Sequence, residues 1–259
     1  MRLAVASLAA LLFLLALPGT GSAEIAQRGP LRVAFDGSLS PRALPRTGSV
    51  RVGVEVGGKI STTDGRTPPR LLRVSIAVNR HGRFDTGALP VCRIEQIQPA
   101  TTAGALEACR SSLVGEGSFS ARVLLPAQAP FPSVGKVYAF NGSFEGRPAI
   151  LAHVYGTEPA PTSYALPLRI NRIARGEFGT LLSASLPEVT SEWGYVTGLE
   201  LKLGRGFSGG GKRDFVSARC PAPEGFPRAV YPLARVTFSF VGGLALRSTL
   251  NRSCRVRAG

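Results

Sequence analysis

Val50-Arg-Val-Gly-Val-Glu-Val56 carries an apolar side chain at every second position, with Arg51 and Glu55 on the other side. Successive side chains of an extended chain point to opposite faces, so this stretch reads as a strand with one dry and one wet face. The same alternation aligns Leu72, Val74, Ile76 and Val78, then Phe119, Ala121, Val123 and Leu125. It recurs in Leu199, Leu201 and Leu203, set against Glu200 and Lys202, and in Val236, Phe238 and Phe240. Strands that are wet on one face belong to antiparallel sheets rather than to parallel sheets buried on both faces.

Between these runs lie Asn79-Arg-His-Gly82, Glu145-Gly-Arg-Pro148, Ala174-Arg-Gly-Glu177 and Val241-Gly-Gly243, which read as hairpin turns. Only Thr101–Cys109, TTAGALEAC, reads as a helix, with Thr101 or Thr102 as its N-cap. About a dozen strands and one short helix predict an all-β fold. The expected architecture is an antiparallel β-sandwich, jelly-roll-like or Ig-like in its connections. The Pro-rich stretch Leu125–Ser133 leaves two arrangements of the chain. Residues 24–259 form one continuous β unit, the reading adopted, or two tandem domains, 24–125 and 136–259, flank a linker.

Arg2, the apolar run Leu3–Leu17 and the small residues Gly21 and Ala23 follow the order of a secretory signal, so residues 1–23 are expected to be removed. No later segment has the uninterrupted apolar length of a membrane-spanning helix, so no stable span is expected afterwards. The four cysteines lack Cys-x-x-Cys spacing and fall two in each half, which predicts Cys92–Cys109 and Cys220–Cys254 disulfides in an oxidising compartment. The expected location is extracellular or in the cell envelope. A bias toward Arg, Ala, Gly, Pro and Val points to a bacterial genome rich in G and C.

The formal net charge is +15, and all but four of the 31 basic residues are arginine. The arginines are scattered singly rather than gathered beside stacking aromatics, so no nucleic acid is expected. An acidic or carbohydrate polymer of the envelope is the partner class this charge suits.

The stretch Gly204–Phe215, GRGFSGGGKRDF, has two chemical look-alikes. Gly206 to Lys212 has phosphate-loop spacing, but Arg213 stands where a magnesium-binding Ser or Thr is needed and the following residues read as a strand. Gly206, Ser208 and Gly210 match a nucleophile elbow, which would need His81 or His153 and a carboxylate such as Asp214 or Glu188. The glycines are read instead as a turn. Leu44-Pro-Arg-Thr-Gly48 matches a sortase signal in letters, yet it precedes a strand near the start of the chain and is read as a turn too.

Pro187-Glu-Val-Thr-Ser-Glu-Trp-Gly-Tyr195 is the sequence's best ligand surface: Trp193 and Tyr195 could stack on a sugar whose hydroxyls meet Glu188 and Glu192. With two histidines and no acidic cluster, no metal or other cofactor is expected. The reading adopted is a non-catalytic binding or structural module. Its rivals are a secreted hydrolase using Ser208 or the Glu188/Glu192 pair, and arginine-mediated adhesion to acidic polymers.

Overall fold

The alternating segments do form strands, and they lie in one large sheet whose dry face turns in on itself. The structure is a computed structural model in which residues 23–87, 89–158, 160–187, 194–204 and 215–257 are described, so the N-terminal apolar run lies outside the described residues. The strands are β1 (Glu24–Arg28), β2 (Leu31–Ser40), β3 (Ala43–Leu44), β4 (Val50–Arg51), β5 (Gly53–Thr62), β6 (Leu71–Asn79), β7 (Gly82–Phe84), β8 (Cys92–Arg93) and β9 (Leu113–Val123). They continue as β10 (Phe131–Phe144), β11 (Arg147–Gly156), β12 (Thr162–Arg172), β13 (Phe178–Ser185), β14 (Gly194–Gly204), β15 (Val216–Ala218), β16 (Arg228–Phe240) and β17 (Ala245–Val256). One α-helix, α1, spans Thr102–Cys109.

The large sheet has 14 strands in the order β1-β2-β5-β14-β9-β10-β11-β12-β13-β6-β16-β17-β3, with β8 beside β10. Its pairings are antiparallel except for β3 on β17 and β8 on β10. Phe35 of β2, Leu201 of β14, Val137 of β10, Ile150 of β11, Leu182 of β13, Val236 of β16 and Leu250 of β17 share a single core. Strands from across the whole order therefore face one another.

This matches the expected architecture in part. The fold is all-β, but a single mixed sheet curled into a half-barrel stands where two stacked antiparallel layers were expected. The curl has a local cause on β9. A β-carbon on Gly117 would fall on the Glu200 carbonyl and 2.9 Å from Leu201 Cα, so only glycine lets β14 bend in this closely. The far edges then meet through side chains. Arg252 Nε on β17 donates to the Gly37 carbonyl on β2 at 2.7 Å, and the Phe238 ring of β16 reaches the inner side of Gly58 on β5.

One end of the half-barrel has a floor. β4, β15 and β7 form a separate three-stranded sheet there, supplied by the β2–β5, β14–β16 and β6–β9 connections. Val52 N donates to Val216 O at 3.1 Å and Asp85 N to Phe215 O at 2.9 Å, while the Phe84 and Phe215 rings meet edge-on at 5.7 Å. The stretch 50–56, read as one strand, breaks at Val52: β4 enters the floor, β5 the wall, and Val52 between them is fully buried. The chain also leaves the large sheet at Asn79 rather than turning into a hairpin. Asn79 is buried, donates to Pro232 O at 2.9 Å and accepts from His81 N at 3.0 Å, which fixes that exit. Leu44–Arg46 runs from β3 of the large sheet toward the floor: Leu44 is buried, Pro45 O accepts from Cys220 N, and Arg46 Nη2 donates to Phe226 O.

Other turns fold as read. Glu145 and Gly146 adopt positive φ (51° and 72°) between paired Phe144 and Arg147, and Gly242 and Gly243 do so between β16 and β17. The Pro-rich stretch is the loop of the β9–β10 hairpin, with Phe131 paired to Val123. The disulfides are Cys92–Cys109, joining β8 to α1, and Cys220–Cys254, joining the floor segment to β17. They indicate an oxidising environment. Among the described residues no helix is long and apolar enough to cross a membrane.

Helix α1, capped by Thr101 Oγ1 accepting from Gly104 N at 3.2 Å, covers the outer face of β10 and β11 through Ile97, Ala105, Phe140 and Leu151. His153 is fully buried in this layer; its Nδ1 donates to Ile97 O at 3.0 Å, and burial holds its pKa below the usual value. The folded chain thus keeps a neutral ring where the unfolded chain takes up a proton below about pH 6.5. This contribution to stability is complete above that pH and is lost as pH falls toward the depressed folded value, by up to about 1.4 kcal/mol per pH unit. Thermal melts between pH 7.5 and 5 are expected to fall less steeply for His153→Phe than for the wild type; equal slopes would contradict this role.

Candidate ligand cavity

The floor fills one end of the half-barrel, and toward the other end the inward side chains leave a cavity of about 470 Å³. Its origin lies in the register. Phe35 faces Gly58, Gly58 faces Leu199, Leu199 faces Phe119, and Phe119 faces Gly135, so one rung crossing five strands sets two glycines among three large residues. The Phe119 ring lies over Gly135 and touches the inner side of Gly156, while the small side chain of Ala121 leaves the next level open. Val74, Ile76, Val236 and Phe238 wall the opposite side. Although Leu199 points inward, it is 37 % exposed, and Val56, Val74, Ile76, Phe119 and Val154 are only partly buried, unlike the fully buried Val52 and Leu250 near the floor. The cavity wall is therefore apolar and reachable from solvent.

Polar groups on it are few. Ser133, 5 % exposed, lies on the inward ladder of β10, and Tyr164 on that of β12. At the rim stand Thr162 and the two charged residues Arg122 and Glu158, both exposed. Arg122 lies between inward Ala121 and Val123, so its side chain is on the outer face, where Nη1 is 3.4 Å from Pro130 O. The β5–β6 connection crosses this end, between strands far apart in the sheet order. Its Pro68, Pro69 and Arg70, with Leu71 of β6, come together with Leu186 and Tyr195 at the entrance.

Of the ligand surface read from the sequence, Tyr195 is at this mouth; Glu188, Glu192 and Trp193 lie outside the described residues. Ser208, Lys212 and Asp214 also lie outside them; the described residues that follow, Val216–Ala218, form strand β15. Among the described residues neither histidine ring bonds a serine or a carboxylate. Arg219 Nε donates to His81 Nδ1 at 2.9 Å, and burial, followed by the Arg219 and Arg80 charges, lowers the His81 pKa. His153 is on the outer face beneath α1, away from the cavity. The described residues contain no group of three His, Cys, Asp or Glu side chains placed to hold a metal ion.

The sequence reading missed the cavity itself. Its signal was present in the small residues Gly58, Ala121, Gly135 and Gly156 at dry-face positions, but only the register shows that they gather on neighbouring rungs. Comparison of the chain with protein-family models, with curated proteins and with solved structures returns no match. Function must therefore be argued from the site alone.

Proposed function

We propose that this is a secreted, non-catalytic binding module of the bacterial cell envelope or extracellular space that holds an apolar small molecule inside its curled sheet. The observation that carries the reading is the solvent-reachable apolar cavity of about 470 Å³, a volume within the usual range for small-molecule sites, roughly 300–1,000 Å³. Each buried methylene contributes about 0.8 kcal/mol before the cost of association, so a ligand of about ten carbons gains about 8 kcal/mol, and micromolar affinity is the upper limit once that cost is subtracted. Outward arginines such as Arg73, Arg235 and Arg247 on adjacent strands would draw the module to acidic polymers of the envelope without taking part in ligand capture.

Titration with the uncharged fluorophore N-phenyl-1-naphthylamine tests this reading. Saturable enhancement is expected for the wild type. Ala121→Trp, which fills the open level of the cavity from a position already facing it, should weaken binding at least about tenfold while circular dichroism stays unchanged. Absence of saturable binding to the folded wild type would remove the proposal.

A further inference from the structure

Resting on the reading above, we infer that the molecule held is an uncharged single-chain amphiphile whose polar group is drawn inside, against the hydroxyls of Ser133 and Tyr164, rather than left as an ion in the water at the mouth. Three observations carry this. The chain is strongly basic, yet among the described residues the charged side chains lining the cavity are only Arg122 and Glu158, of opposite sign and both exposed at the rim, with Arg70 at the adjoining entrance. Past that rim the described residues of the wall offer neither a cation for a carboxylate or phosphate nor an anion for an amine, and an ion taken inside would give up its hydration uncompensated. The polar side chains on the inward ladder there are instead the hydroxyls of Ser133, almost fully buried, and Tyr164, both on the β10–β12 side and both able to donate and accept.

The facing wall, Val74, Ile76 and Phe238, has no polar side-chain atom. A ligand with one hydrogen-bonding end and a hydrocarbon remainder matches this division, with the hydroxyl or ester group toward β10 and β12 and the chain across toward β6 and β16. A fatty alcohol or a neutral ester has this chemistry; a fatty acid anion or an alkylamine has the same hydrocarbon with a head the interior cannot accept.

The test is displacement of N-phenyl-1-naphthylamine by 1-decanol, decanoate and decylammonium at pH 7.4, ligands of equal chain length that differ in charge. Decanol is expected to bind at least about tenfold more tightly than either ion. The double variant Ser133→Ala/Tyr164→Phe should lose about three- to tenfold in decanol affinity, with circular dichroism and a cooperative thermal melt like the wild type's reporting that it is folded. If either ion matches decanol, if decanol does not displace the fluorophore, or if the double variant binds decanol as well as the wild type does, the inference fails and the binding reading stands. If the fluorophore itself does not bind the wild type, the binding reading fails with it.

Discussion

Gly117→Ala is expected to cost about 3 kcal/mol of stability, and Gly117→Val to leave no folded protein, because this glycine sets the curl of the sheet. Its inward side faces the backbone of β14, where a β-carbon would overlap the Glu200 carbonyl and crowd Leu201 Cα at 2.9 Å. Backbone, unlike a long side chain, cannot rotate away. Relief requires β9 and β14 to separate, which opens the ladder from Leu203↔Gly115 to Leu199↔Phe119 and flattens the wall of the cavity. Gly115 repeats the arrangement one rung away, against Lys202 O. Gly104 in α1 is the control: its β-carbon would meet nothing closer than 3.6 Å, and alanine favours the helix, so Gly104→Ala should be neutral or stabilising by up to about 1 kcal/mol. Urea denaturation of the three variants checks both signs. A Gly117→Ala protein as stable as the wild type would mean that the curl has another cause.

Replacing Cys220 and Cys254 by serine is expected to cost about 3–4 kcal/mol, a fall in Tm of roughly 10 °C for a chain of this size. The bridge closes a loop of sequence separation 34, and it anchors the residues that follow floor strand β15 to β17, at the edge where the half-barrel is held by side chains instead of a hydrogen-bonded ladder. Cys220 N also donates to Pro45 O, so the same residue ties the floor to the segment after β2. Losing the bridge frees the floor and the seam together. The Cys92–Cys109 bridge closes a separation of 17 and fixes only α1 and β8 over the outer face, for which about 3 kcal/mol is expected. Melting curves of the two double serine variants should therefore rank Cys220/Cys254 as the more damaging loss; the reverse order would contradict the part assigned to the seam.

Much of the local structure was legible because period-two alternation and turn chemistry are properties of neighbouring residues. The β6, β9, β14 and β16 runs, the Glu145-Gly146 turn, the Thr101 cap and both disulfide pairings follow from spacing within short windows. What alternation cannot specify is whether the dry faces of two sheets meet or the dry face of one sheet closes on itself, since both bury the same residues. That choice rests on close approaches such as Gly117 to Glu200, which join residues distant in sequence. Val52 illustrates the limit most sharply. It continues an unbroken apolar alternation, yet its amide bonds Val216 O in the floor, and a partner 164 positions away leaves no mark on its neighbours. The candidate site was illegible for the same reason: an inward glycine signals a narrow wall only when its cross-strand partners are known, whereas Trp193 and the carboxylates near it attracted attention by residue type alone.

The central claim is that the inside of the curled sheet receives an apolar guest. Crystals grown with 1-bromodecane and measured at the bromine absorption edge locate the guest directly. The account predicts anomalous density inside the half-barrel, within contact distance of Phe119, Val154 and Phe238, and its loss in Ala121→Trp. Bromine found only on the outer faces of the sheet or under α1, with the interior closed by side chains, would contradict it.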